Sequence, residues 1–525
     1  MTTPDRVELR PAFLEDWLES LPYADFQRAT ETLVQALIET SQAQVKPAIR
    51  LELLDLYSRA YQYLLNAYIK GQAISSVNRP HIQQNIQAIR EIVVELALGY
   101  RAAVSEALER SSSWWSPKKP PTNGILMGIK SLSHLLLLDY HAYAPLLPDI
   151  WKELHGFYRE AEELGLEDVP LDDPERDPPA KTTIRAAYQQ ILATALVNPH
   201  RLPFGTIWEI YDQVHDWASH AHLGPYETLH EPLGRFLINP DSGAGPTAYE
   251  IFAPGEPVGE VRLLNCNPLW QRSQQALSSI QQGKKIPLRL SDIQGVPLLE
   301  QMMSAWGRPP ARYAPRREVK TSIQITYGFN ATYGMIAAHD YAQGKKVFSG
   351  QAPSHGALMD WVRDAPTGGA SDMWECIDES PGGMAAYHSH RLKQPVRVGD
   401  LLGVLRVSSP EESSWQLGVV RWLIVEADES PRIGIQMLVR DPLPVAVRAL
   451  QGSPAEVEYR RGFLIGTPGQ DPELALITPP KLFANGRYLE IQMGERQFQV
   501  HAWTLREATV AFEHFVCTLY RGGEN

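Results

Sequence analysis

Between about residues 11 and 225, apolar side chains recur at steps of three and four. In 81–108 they fall at Ile82, Ile86, Ile89, Val93, Leu96, Tyr100, Val104 and Leu108, a single stripe on a helix whose other faces are polar. A second stripe, Trp151, Leu154, Phe157, Tyr158 and Ala161, begins behind Pro148 and stops before Gly165, which is suited to end a helix. The same spacing predicts helices over 13–21, 26–39, 51–69, 125–138, 183–197 and 207–221. No consensus recurs at a fixed period of about 34 residues, so no tetratricopeptide array follows. The proline-rich polar stretches 111–123 and 167–181 read as exposed loops or linkers between subdomains.

From 226 to 305 the period shortens and Gly and Pro multiply. A helix is predicted over 269–282, ending at the turn Gly283-Lys284, and the rest reads as a mixed connector. After Pro310 the period becomes two. Runs at 321–327, 384–388, 401–407, 418–425 and 433–439 read as strands of a small antiparallel barrel. Leu358, Trp361 and Val362 lie at helical spacing behind Ser354, which predicts a helix inserted near 354–363. Alternation continues in Leu489, Ile491 and Met493 and in Phe498, Val500 and Ala502, with turn signals at Asn485-Gly486 and Gly494-Glu495.

The expected fold class is thus multidomain α+β. An all-helical domain over 1–225 and the mixed connector over 226–305 precede a β-barrel over 306–442 and a second small β domain over 443–525. A chain of 525 residues is long enough for two to four such domains.

Charge and cysteine usage narrow the function. A net charge of −12 argues against binding nucleic-acid polymers or an anionic membrane, both of which need excess Lys and Arg. Three widely spaced cysteines, Cys266, Cys376 and Cys517, suit a reducing compartment better than a disulfide framework. The N-terminus has no signal-peptide core, and no apolar run is long enough to span a bilayer. The expectation is a cytoplasmic protein without membrane insertion.

The common enzyme signatures are missing. Gly283-Lys284 and Gly344-Lys345 lack the upstream glycine and the following Ser or Thr of a phosphate loop, and no nucleophile elbow or metalloprotease helix occurs. His215 and His222 would lie about 10 Å apart on a helix, and His388 and His390 have no identifiable third ligand, so no metal site is expected. The reading is a non-enzyme without a cofactor.

Two polar clusters remain. The first, Arg312-Tyr-Ala-Pro-Arg316-Arg317, offers guanidinium forks that can hold phosphate bidentately or stack on a purine. The second, Asp378-Glu-Ser380-Pro-Gly382-Gly383, offers a carboxylate that can accept from guanine N1 and N2 hydrogens, a small hydroxyl, and glycines that let backbone approach a ligand.

An R-x-x-x-R arm (Arg312, Arg316) followed by D-x-S-x-x-G (Asp378, Ser380, Gly383) resembles the PilZ family, bacterial receptors for cyclic di-GMP. Val398-Gly399-Asp400-Leu401, Gly418 to Trp422 and Arg432 to Met437 resemble the strands that follow in that family, so the likeness covers about residues 308–440. It implies cyclic di-GMP held between the arm and the barrel face, with either Arg316 or Arg317 as the second anchor. It further implies an arm that orders on binding and reorients the preceding domain. The helical region would then engage an unidentified protein partner. Two rival readings stand beside it: a PilZ-like adaptor that binds no nucleotide, against which the intact Arg312, Arg316, Asp378, Ser380 and Gly383 speak, and an enzyme with a site in the helical half, which only the histidines encourage.

Overall fold

The computed structural model describes residues 8–74, 79–111, 120–176, 180–229, 231–249, 259–290, 295–307, 315–342, 371–406, 414–452, 457–466, 468, 473–493 and 496–520. They fall into two compact units, one within 1–199 and 204–311 and the other within 200–203 and 312–525. The helix expected near 354–363 lies outside the described residues.

The first unit opens with six helices: α1 (Pro11–Glu19), α2 (Phe26–Gln42), α3 (Pro47–Ile74), α4 (Arg79–Ser111), α5 (Thr122–His141) and α6 (Pro148–Leu164). A short hairpin, β1 (Leu171–Asp173) and β2 (Ala180–Thr182), leads to α7 (Ile184–Leu196) and α8 (Thr206–Trp217). Local chemistry sets the ends. Asp25 caps α2 by accepting from Arg28 N at 3.2 Å, Thr183 caps α7 by accepting from Ala186 N at 3.1 Å, and Gly165 ends α6 at φ +64°. Helix α5 is buried on nearly every side, packed against α4, α6, α7 and α8, which is why apolar residues fall all around it and its Lys130, His134 and Asp139 are each met by a charged partner.

Most described residues of stretch 167–181 are exposed or half-buried, as its composition suggests, but the stretch also reaches into the helical core. Asp173 is buried, and with Glu175 it takes the ammonium of Lys130 on α5, each at 2.8 Å. His215 on α8 sits 2.6 Å from Asp173, and His134 sits 3.2 Å from Glu175. A charge this deep in the helices needs opposite charge at hand, and the hairpin supplies it. Burial raises the Asp173 carboxyl, but the hydrogen bond with His215 and the Lys130 charge outweigh it and hold it well below the usual carboxylate range.

Among the described residues, a four-stranded sheet and two α-helices follow in this unit. Strands β3 (His222–Pro225), β4 (Arg235–Ile238), β5 (Thr247–Ala248) and β6 (Arg262–Asn265) lie in the order β3-β6-β4-β5. Helices α9 (Asn267–Gln281) and α10 (Gly295–Trp306) follow, and the Trp306 indole donates to the Ala193 carbonyl on α7 at 2.9 Å.

The second unit contains two closed antiparallel barrels. The first consists of β7 (Arg317–Tyr327), β8 (Ser371–Ser380), β9 (Gly383–Tyr387), β10 (Leu401–Arg406), β11 (Trp415–Val425) and β12 (Pro431–Arg440), with α11 (Phe329–Ala342) between β7 and β8. The second consists of β13 (Leu443–Ala449), β14 (Arg460–Ile465), β15 (Leu474–Thr478), β16 (Tyr488–Met493), β17 (Arg496–Ala508) and β18 (Glu513–Leu519). Around the first the order is β7-β8-β9-β12-β11-β10, and around the second β13-β14-β15-β18-β17-β16, so the two share one connectivity. Closure removes free sheet edges.

Helix α11 lies between the barrels. Phe329, Tyr333, Ile336 and Ala337 pack with Leu401, Trp415, Leu417 and Val419 of the first barrel and with Phe463, Ile477 and Phe512 of the second. The second barrel keeps its own core, which includes Val447, Leu476, Leu489, Ile491, Val500 and Phe515. Cys266, Cys376 and Cys517 are all free and buried.

Candidate functional site

The site begins with register. Strands β7 and β8 pair with Arg317 opposite Glu379 and Glu318 opposite Asp378, which brings the arginine cluster beside the acidic one across 62 residues of chain. Arg316 precedes β7. Its Nη1 donates to Oδ1 and Oδ2 of Asp378 at 2.8 and 2.9 Å. Arg317 goes elsewhere: its Nη2 meets Glu379 Oε1 at 2.5 Å, and Arg406 takes the other oxygen of Glu379 at 2.7 Å. Hydrogen bonds from Arg317 and Arg406 hold the Glu379 carboxyl below its ordinary value. Arg312 lies outside the described residues.

Ser380 and Gly383 face each other across the two-residue turn from β8 to β9, and Ser380 Oγ donates to the Gly383 carbonyl at 3.3 Å. Gly383 also pairs with Gln436 on β12, and Met437 N donates to the Gly382 carbonyl at 3.0 Å. A Cβ on Gly383 would stand 2.3 Å from the Ile435 carbonyl oxygen, whereas one on Gly382 would meet nothing within 4 Å. The glycine requirement at 383 therefore comes from the neighbouring strand of the barrel itself. Gly434, opposite Trp422, leaves the space that the indole ring covers.

One side chain read from sequence only as part of a strand ties this barrel to the second. Arg421 on β11 donates through Nε to Gln436 Oε1 at 2.6 Å, and its two terminal nitrogens reach both oxygens of Glu507 on β17 at 2.5 and 2.9 Å. Arg201, in the segment 200–203 grouped with this unit, is solvent-exposed, and partial desolvation and then the charges of Arg421 and Arg316 lower its guanidinium from the usual value. Sequence offers no signal for Arg201, and Arg421 stands in the Gly418–Trp422 strand signature with nothing there to mark its side chain.

The histidines have structural partners. His215 is tied to Asp173, and His388 packs on the Trp374 ring with centroids 5.2 Å apart while its Nδ1 lies 2.6 Å from the His390 carbonyl. Among the described residues no group of three or more His, Cys, Asp or Glu could hold a metal ion, and no helix is long and apolar enough to cross a membrane.

The chain matches the family model described as Cyclic-di-GMP receptor FimW, N-terminal domain, over residues 12–227, and the one described as Cyclic-di-GMP receptor FimW, middle PilZ domain, over residues 369–444. It is similar to the Cyclic-di-GMP receptor FimW of Pseudomonas aeruginosa, with 22% identity over 548 aligned positions that cover 94% of this chain and 86% of that protein. No solved structure matches the chain significantly.

Proposed function

We propose that this chain, which carries a PilZ domain, is a non-enzymatic receptor for cyclic di-GMP in the cytoplasm. The nucleotide binds on the outside of the first barrel. Asp378 and Ser380 take a guanine edge, the backbone of Gly382 and Gly383 lies against the ligand, and Arg312 and Arg316 close over it from the arm ahead of β7, with Arg317 flanking them. The observation that carries this reading is the meeting of Arg316 with Asp378, which joins two separate sequence motifs in one place. A guanidinium and a carboxylate side by side complement the phosphates and the N1–N2 edge of a guanylate.

Ligand binding exchanges the Arg316–Asp378 contact for contacts to nucleotide and orders the arm, and the helical unit passes the change to a protein partner. The similarity to a protein described as a cyclic di-GMP receptor along most of the chain supports the ligand. Titration calorimetry of the full chain with cyclic di-GMP, GMP and cyclic di-AMP tests the proposal. Saturable binding of cyclic di-GMP alone is expected, and absence of heat with all three would instead favour an adaptor that works only through its surfaces.

A further inference from the structure

The Arg421 guanidinium is tethered close to the proposed nucleotide face and yet engaged with the second barrel. Its Nε is fixed by Gln436, the residue whose backbone pairs with Gly383, so it stands one strand away from the Ser380–Gly383 turn. Its two terminal nitrogens form a fork on Glu507. That is the arrangement by which arginine takes a phosphate as readily as a carboxylate. The pair is partly exposed, with side-chain accessibilities of 30% and 19%, so a solvent-borne anion can compete for it. Arg316 is likewise held by a carboxylate, and both guanidiniums act on Arg201. Strands β11 and β17, which carry Arg421 and Glu507, occupy equivalent places in the two barrel orders. Glu507 lies beside an irregularity in the pairing of β17 with β18, where the register shifts between Leu505 and Glu507. The ladder resumes at Glu507 and Ala508, so Glu507 stands just past a local kink that can re-aim its side chain.

We infer that Arg421 is a further nucleotide-contacting residue and that Glu507 holds its place in the free protein. A phosphate of cyclic di-GMP takes the fork, Glu507 is released, and occupancy of the first barrel is passed to the end of β17 in the second. This rests on the nucleotide reading above and adds to it a residue outside both motifs and a route to the C-terminal barrel.

Calorimetry on the full chain, with wild type, Arg421→Ala, Arg421→Lys and Glu507→Gln, tests the inference, each variant being checked by thermal melting. Arg421→Ala is expected to weaken cyclic di-GMP binding by about tenfold or more, Arg421→Lys to recover only part of it, and Glu507→Gln to tighten binding by about three- to tenfold because the competing charge is gone. Hydrogen exchange at 503–510 is expected to rise when nucleotide is added to wild type. Should Arg421→Ala not fold, Arg421→Lys and Glu507→Gln carry the test. Wild type that binds while Glu507→Gln and the arginine variants keep its affinity would reduce the pair to a clasp between barrels and overturn the inference. Wild type that binds no cyclic di-GMP would remove the nucleotide reading itself, and this inference with it.

Discussion

Arg316 Nη1 lies within 2.9 Å of both carboxylate oxygens of Asp378, so in the free protein one residue of each candidate motif is held by the other. A ligand that needs both residues must open this contact. The pair is exposed to solvent, with side-chain accessibilities of 36% and 25%, and its opening costs little.

Arg316→Ala should therefore separate binding from stability. A charge-assisted contact to phosphate or base contributes about 1.5–3 kcal/mol, which corresponds to cyclic di-GMP binding weakened about ten- to a hundredfold. Loss of an exposed ion pair changes stability by less than about 1 kcal/mol. Calorimetry and thermal melting on one preparation give both numbers, and an Arg316→Ala protein with wild-type affinity would rule out a role for this residue.

The two glycines of the turn should behave differently. Gly383→Ala drives a methyl into the Ile435 carbonyl, and overpacking of this kind costs about 1–3 kcal/mol. Gly382→Ala places its methyl in open space and should leave the denaturation midpoint nearly unchanged. Equal midpoints for the two variants would show that the β9–β12 approach is looser than described.

Lys130→Met should be among the most damaging single changes in the helical unit. It leaves Asp173 and Glu175 facing each other without their shared cation, and removal of one partner from a buried pair costs about 3–5 kcal/mol. Urea denaturation followed by helical circular dichroism measures the loss; a shift below about 1 kcal/mol would mean that water reaches the cluster.

Acid should weaken the helical unit through its buried histidines. His141 is buried on α5 beside Tyr68, Phe204 and Trp208, and burial lowers it from 6.5 to about 4. Between those values the unfolded chain binds a proton that the folded one refuses, so stability is complete above about pH 6.5 and falls as pH drops toward 4, by up to about 3 kcal/mol. His134 and His155 are also lowered by burial and act in the same direction. Melting of wild type and His141→Gln across pH 4–7 should show a shallower slope in the variant; identical slopes would assign the effect to other groups.

Reading by period succeeded where each residue's environment is set by its near neighbours. The stripe from Ile86 to Val104 became the buried face of α4, and the alternation in Leu489 and Ile491 became the inward face of β16. It missed α11, which is covered on two sides by barrels and so lacks a polar face in Phe329, Tyr333, Ile336 and Ala337. It missed β8 because only Trp374 and Cys376 of that strand are fully buried, while Met373 is 52% exposed among acidic neighbours. The motif Asp378-x-Ser380-x-x-Gly383 was legible because its spacing is local, being the end of one strand, a turn and the start of the next.

By itself, then, the sequence determined the helical and β halves, most strands of the first barrel and the two polar clusters, all of which depend on spacings of a few residues. Only the tertiary structure decided that Arg316 rather than Arg317 meets Asp378, that Lys130 sits with Asp173 and Glu175, that both barrels share one connectivity, and that Arg421 reaches Glu507. Those partners stand 43 to 86 residues apart in the chain or belong to separate sheets, and which charges meet follows from strand register and packing, neither of which leaves a local pattern.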